Sequence, residues 1–352
     1  MTRLKSFLRH IAVPSLLSLT LFCFSSCSAS HDEYTSFSGE VWNTLYHVSL
    51  RLPADLERSE VRDSILAVFR RLDASVSVFY PGSLVCRINE GTDSVVDKDF
   101  ETLYRISERV NSLSGGMFDP TAEPLIRAWG FGQGHRPDAD TLRIDSLLHR
   151  VGLTRTMLKN SLLIKERPDI AFNFSAVAKG YGCDEVGAML RRLGIEDYLV
   201  EIGGEVSALG LSARGKPWTI AVESPEILLE ENRRLDGEES KNEPNSAGDP
   251  LYSDIISISS GGVATSSNLR NSMMVNGRRM GHVVSPLTGF PVESDILSAT
   301  VAAGSCAEAD ALATACILLG SQKAPDLIRR SRTSALIATS DSIIRISWPP
   351  RP

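Results

Sequence analysis

The residues with the clearest capacity for chemistry lie in three separate stretches. Residues 306–320, CAEADALATACILLG, are small or apolar almost all round and end at a glycine; a helix of that kind is buried. Asp310 and Thr314 stand four apart in it and so share a face. A carboxylate on a buried helix is costly unless it is hydrogen-bonded or binds a cation. An Asp oxygen beside a Thr hydroxyl suits a hard, oxygen-seeking ion such as Mg²⁺; a nearby Arg, or a turn to cap, would also satisfy the carboxylate. His282 lies in MMVNGRRMGHVVSPLTGFP, residues 273–291, at the end of a strand-like run beside a Pro/Gly loop. That placement suits acid–base work, although a lone histidine is more often a satisfied structural residue. The third stretch is FNFSAVAKGYGCDEVGAMLRRLG, residues 172–194. Lys179 falls near the first turn of its helix, where the dipole is positive. Beside free N–H groups it adds charge to an anion site; without an anion it extends to solvent.

The elements that must position these residues can be read from periodicity. SGEVWNTLYHVSLRL, residues 38–52, alternates as a strand. A charged amphipathic helix spans about 57–73, with Val61, Ile65, Val68, Phe69 and Leu72 on its apolar face, and a second runs over about 98–114. SGGMFDPTAEPLIRAWGFGQG reads as an ordered loop leading into a short helix. Val177, Tyr181, Val186, Met189, Leu190 and Leu193 trace one face of a helix starting near Ser175 or Ala176. Small residues at Ala176, Ala178 and Gly180 let another group approach its backbone. Gly203-Gly204 marks a bulge or a close backbone approach, and Asn276-Gly277 predicts a type I′ hairpin turn. On the strand returning from that turn, Met280, His282 and Val284 share a face. Residues 225–250 are highly charged, and their second half reads as a mobile surface insertion within one domain, since WTIAVE and SDIISIS flank it. The succession is mixed α+β rather than regular βαβ.

The chain has 352 residues and a net charge of −6. That is long enough for one large domain or two smaller ones, and nothing in the charge pattern suggests a nucleic-acid partner. MTRLKSFLRH is a basic leader, IAVPSLLSLTLFCF an apolar stretch and SSCSAS a small-residue cleavage zone. The apolar stretch is short for a membrane span of roughly 20 residues. FSSC resembles a bacterial lipoprotein box with Cys27 lipidated, and a plain secretory signal is the alternative; either places the mature protein outside the cytoplasm. The organisation expected is a signal over 1–26, a tether over 27–36 and one domain over 37–352. Cys86, Cys183, Cys306 and Cys316 are expected as buried free thiols. Cys306 and Cys316, at the two ends of one helix, are about 15 Å apart and cannot bridge each other.

In their order along the chain, six motifs resemble the FAD:protein FMN transferases, the ApbE family. They are GGMFDPT followed by WGF, SAVAKGYGCD, VEIGGEV, VATSSNLRN, HVVSPLTGFP, and SATVAA with ADALATA. The resemblance covers nearly the whole mature chain. It implies a single α+β domain of mixed sheet and helices, related to the T-fold. It also implies a Mg²⁺-dependent enzyme that takes FAD as substrate, joins FMN to a Thr or Ser hydroxyl of an acceptor protein and releases AMP. Acceptors of such enzymes are typically subunits of membrane redox complexes. A lipid-anchored protein of the cell envelope, facing the periplasm, fits such a partner.

Carried over by this resemblance, Asp310, Thr314 and the carbonyl of Ala176 are metal ligands, and Lys179 contacts the flavin nucleotide. Met117, Phe118 and Asp119 fall on the FAD-contacting loop, Val284 on a backbone contact, and Phe79 or Tyr80 on an aromatic position near the flavin. Asn173 stands where the family often has Asp. Trp42 stands where a methionine is common, and its indole offers a ring for stacking. Ser285 replaces a usual Asp, removing a carboxylate near His282; Ser267 replaces a usual Gly and would stiffen a loop near the ligand. His282 is the candidate base for the acceptor hydroxyl, and Lys179 with the metal would offset the charge of the diphosphate. Two other outcomes use the same residues: a Mg²⁺-dependent FAD pyrophosphatase giving FMN and AMP, and an FAD-binding lipoprotein without turnover.

Overall fold

The computed structural model describes residues 33–131, 141–224, 252–267, 273–275 and 278–347. The alternating stretch at the start folds as two strands rather than one. β1 (Glu33–Val41) and β2 (Thr44–Leu52) pair antiparallel with Val41 opposite Thr44, which leaves Trp42 and Asn43 as a two-residue turn. Their φ values are 51° and 58°, as a type I′ turn requires. Asn tolerates this region and a bulky residue seldom does, so the usual turn signal is missing and the alternation runs on unbroken. β1 opens at Glu33, inside the stretch expected as a tether.

The helices α1 (Arg58–Val76), α2 (Leu84–Glu90), α3 (Lys98–Leu113), α4 (Glu123–Ala128) and α5 (Thr141–Leu148) follow, then the small hairpin β3 (Thr156–Lys159) and β4 (Leu162–Lys165). α6 (Ser175–Arg192) leads into β5 (Tyr198–Ile202) and β6 (Glu205–Leu209). β7 (Trp218–Glu223) pairs with β8 (Tyr252–Ile258), and β9 (Ser260–Ser267) returns to the main sheet. β10 (Met273–Val275) and β11 (Arg278–Met280) form a short ribbon, followed by β12 (Ile296–Ala303), α7 (Cys306–Leu319), α8 (Ala324–Ser331), β13 (Ser334–Thr339) and β14 (Ile343–Ile346).

Eight strands build one antiparallel sheet in the order β1-β2-β5-β6-β9-β12-β13-β14. α6 and α7 pack against each other and against the middle strands, which buries Val200, Ile202, Ala299 and Val301 with α7 residues such as Leu312 and Ile317 in the main core. On a second apolar cluster, Trp218, Ile256 and Ile258 of the β7–β8 hairpin cover Ala208, Val263 and Ala302. The mixed α+β domain expected from the sequence is therefore the one observed. Cys86, Cys183, Cys306 and Cys316 are all free, but Cys86 is half-buried rather than buried. None of the described helices is long and apolar enough to cross a membrane. Cys27, the insertion at 225–250 and the Asn276-Gly277 turn lie outside the described residues.

Candidate active site

α7 is fastened to α6 before either contributes a functional group. Asp184 of α6 accepts the amides of Cys306 and Ala307 at 3.0 and 2.9 Å, and the Ser305 hydroxyl accepts that of Glu308 at 3.2 Å. These bonds satisfy donors that a helix start leaves orphaned. At Gly180 the helices come so close that a Cβ would lie 2.4 Å from the Cys306 carbonyl oxygen. The Gly180 amide donates to Asp310 Oδ2 at 3.0 Å. That amide is also the helical partner of the Ala176 carbonyl, so the Asp310 carboxylate lies beside that carbonyl.

Beside this crossing opens a cavity of about 1000 Å³. Trp42, Phe79, Met117, Phe118, Asp119, Asn173, Ala176, Lys179, His282, Val284, Asp310 and Thr314 all line it, so every described residue singled out for a site comes to one place. Of the two aromatic candidates, Phe79 lines the cavity and Tyr80 does not. Asp310 is 3% exposed, and Thr314 Oγ1 lies 3.0 Å from Ser266 Oγ. Among the described residues no three His, Cys, Asp or Glu side chains cluster as a metal site. A cation here would rest on one carboxylate, a hydroxyl and a carbonyl, an all-oxygen set that suits a hard divalent ion.

Lys179, near the start of its helix, has a partner that the sequence alone did not single out. Lys179 Nζ lies 2.5 Å from Glu205 Oε1. Glu205 is 3% exposed and lines the same cavity, and its Oε2 has no hydrogen-bond partner among the described residues. Burial, and next the charge of Asp310, push the Glu205 carboxyl up to about 7, against the pull of Lys179. Asp310 is likewise raised by burial, opposed by Lys179 and the Gly180 amide. Burial works to lower the Lys179 pKa, but the Asp310 and Glu205 charges outweigh it and hold the ammonium above its ordinary value. Lys179 is therefore the local counter-charge of two carboxylates. Reading Gly203-Gly204 as a hairpin turn would have set Glu205 on the face of β6 that meets α6.

Several departures acquire partners. Asn173 Oδ1 accepts the Ser175 amide at 2.8 Å, and its Nδ2 donates to Glu123 Oε2 at 2.7 Å. Glu123 also lines the cavity, and burial raises its pKa. The Ser285 hydroxyl accepts the amides of Leu287 and Thr288 at 3.3 and 3.2 Å, so it organises the turn after the histidine. Ser267 Oγ donates to the Leu297 carbonyl at 3.0 Å, tying β9 to β12. The Asp119 carboxylate is spent within its own surroundings, accepting from the Thr121 amide and hydroxyl and from the Leu153 amide. The Trp42 indole donates to Asp73 at 2.8 Å and packs edge-on against Phe69; these contacts fix the ring at the cavity wall. β11 stops at Met280, so His282 and Val284 reach the cavity from the segment after the strand, with the His282 ring edge-on to Phe131 at 6.5 Å.

A profile of the ApbE family matches residues 42–337. An FAD:protein FMN transferase from Haemophilus influenzae is 29% identical over 346 residues, covering 94% of this chain and 92% of its own length. Another from Vibrio cholerae is 30% identical over 297 residues, covering 83% of each chain. The solved flavin transferase ApbE from Vibrio cholerae superposes with a TM-score of 0.75 at 27% identity, over 90% of this chain and 97% of that one. The apo form of flavinyl transferase ApbE from Pseudomonas stutzeri gives 0.75 at 27% identity, over 90% and 94%.

Proposed function

This chain belongs to the ApbE family, and from that premise we propose how its cavity performs the family's reaction. The chain is an FAD:protein FMN transferase: FMN moves from FAD to an acceptor protein. In the proposed chemistry the acceptor's Thr or Ser hydroxyl oxygen bonds to the FMN phosphorus. The phosphoanhydride bond breaks, and AMP leaves with the bridging oxygen. His282 takes the hydroxyl proton, and Lys179 places positive charge beside the diphosphate, where charge develops. Met117, Phe118 and Phe79 would flank the flavin nucleotide together with Asn173, Val284 and the Trp42 ring. Asp310, Thr314 and the Ala176 carbonyl would hold Mg²⁺, which supplies neutralising charge to the diphosphate. The wall itself supports the need for a cation, since one lysine faces two carboxylates there.

One observation carries this reading: the base candidate, the lysine and the oxygen donors come from distant parts of the chain and line a single cavity. The test is incubation with FAD, Mg²⁺ and a candidate acceptor, followed by flavin fluorescence of the denatured acceptor. Wild type should label the acceptor, and His282→Ala should do so about 10²–10⁴-fold more slowly. Labelling by His282→Ala at the wild-type rate would remove the base assignment. Free FMN and AMP with an unlabelled acceptor would mean that water is the nucleophile.

We further propose that Cys27 is lipidated and that the enzyme works in the cell envelope, facing the periplasm, on a subunit of a membrane redox complex. The basic leader, apolar stretch and FSSC box support this. Fractionation checks it: Cys27→Ser protein should leave the membrane pool, and its full retention there would refute the anchor.

A further inference from the structure

Lys179 lies within the field of two carboxylates and is held by one of them. Glu205 Oε1 lies 2.5 Å from Nζ, whereas Asp310 Oδ2 accepts the Gly180 amide. The position of Glu205 is built into the sheet. Gly203 and Gly204, with φ of 62° and 101°, turn β5 into β6 with Ile202 opposite Glu205. Two residues on, the Ser207 hydroxyl lies 3.1 Å from Asp184 Oδ1, so one face of β6 is fastened to α6 at two points. Among the described residues Glu205 Oε2 is buried without a hydrogen-bond partner, and Lys179 is the cation paired with the other oxygen.

We propose that Glu205 is a positioning residue that holds the Lys179 ammonium off Asp310 and so leaves that carboxylate to a divalent cation. The inference rests on the cation reading given above. An ammonium and a divalent cation on one carboxylate repel each other, and each weakens the other's binding. With residue 205 uncharged, Asp310 becomes the nearby buried anion for Lys179, whose own neighbouring amide already grips it. An arriving cation would then have to displace an ion pair.

Mn²⁺, as a stand-in for Mg²⁺, is titrated calorimetrically into the full-length, FAD-free protein, so the readout is affinity rather than turnover. Glu205→Gln is expected to weaken Mn²⁺ binding by roughly tenfold or more. Adding Lys179→Met to that variant should restore affinity to the level of Lys179→Met alone, which should bind at least as tightly as wild type. Wild-type affinity in Glu205→Gln would overturn the proposal. So would a double variant as weak as Glu205→Gln, because Glu205 would then serve the cation directly. Asp310→Asn separates the two levels. If it binds as wild type does, or if wild type binds no Mn²⁺, the cation reading itself fails. If Asp310→Asn loses binding while Glu205→Gln keeps it, only the role of Glu205 fails. Thermal unfolding without metal checks that each variant is folded. Should Glu205→Gln not fold, Lys179→Met decides alone, since weaker binding than wild type would overturn the proposal.

Discussion

Asn173 meets two demands at once, accepting an amide at the start of α6 and donating to a carboxylate across the cavity wall. An aspartate could meet only the first. Asn173→Asp would set a second carboxylate against Glu123, itself only 9% exposed, and is expected to cost about 1–3 kcal/mol at neutral pH. The sign with pH follows from Glu123, whose folded pKa burial already raises. The cost is present when both groups are charged and shrinks as falling pH lets the folded pair hold a proton. Denaturant unfolding of both proteins at neutral and mildly acidic pH checks this; a deficit that grew on acidification would refute it. Asn173 was visible in the sequence as a departure, but its partner lies 50 residues away. Glu205 shows the same limit more sharply, because its meaning comes from a helix lysine, a hairpin register and a distant aspartate together.

Elements with a strong period were legible, and those set by one local conformation were not. α1, α3, α6 and α7 run close to where periodicity puts them, and the expectation that α7 is buried holds for nearly every residue in it. The β1–β2 hairpin escaped because its turn uses Trp42-Asn43 where glycine is usual. How α6 crosses α7 was legible only as a run of small residues. The crossing depends on Gly180, where a methyl group would meet backbone atoms of Cys306 and Ala307 at 2.4–2.9 Å. Backbone cannot step aside as a side chain can, so Gly180→Ala should force the helices apart and cost about 3 kcal/mol or more. It should also draw Asp310 off the Gly180 amide and weaken FAD binding in Mg²⁺. Gly304→Ala is the control, since nothing lies within 4 Å of its Cβ position. Equal melting temperatures for the two variants would mean that the close approach does not set the crossing.

At the scale of the whole molecule, the cavity belongs to no single segment. Its walls run from Trp42 in the first hairpin to Leu318 near the end of α7, and the strands between them reach the sheet out of chain order. A ligand that needs all these walls binds only the folded chain, so its binding energy appears as global stability. FAD with Mg²⁺, at about 100 times its dissociation constant, should stabilise by about 2.7 kcal/mol. For a domain of this size that is roughly 5 °C in melting temperature. FAD with chelator should give a smaller shift, because on the proposed reading the diphosphate would then face Asp310 and Glu205 with Lys179 as their shared counter-charge. Calorimetric melts with each ligand alone and with both would decide the matter. The prediction requires one transition that moves as a unit, and moves furthest with both ligands. Two transitions, of which FAD shifts only one, would mean that the cavity assembles within part of the chain and that the long-range walls are dispensable.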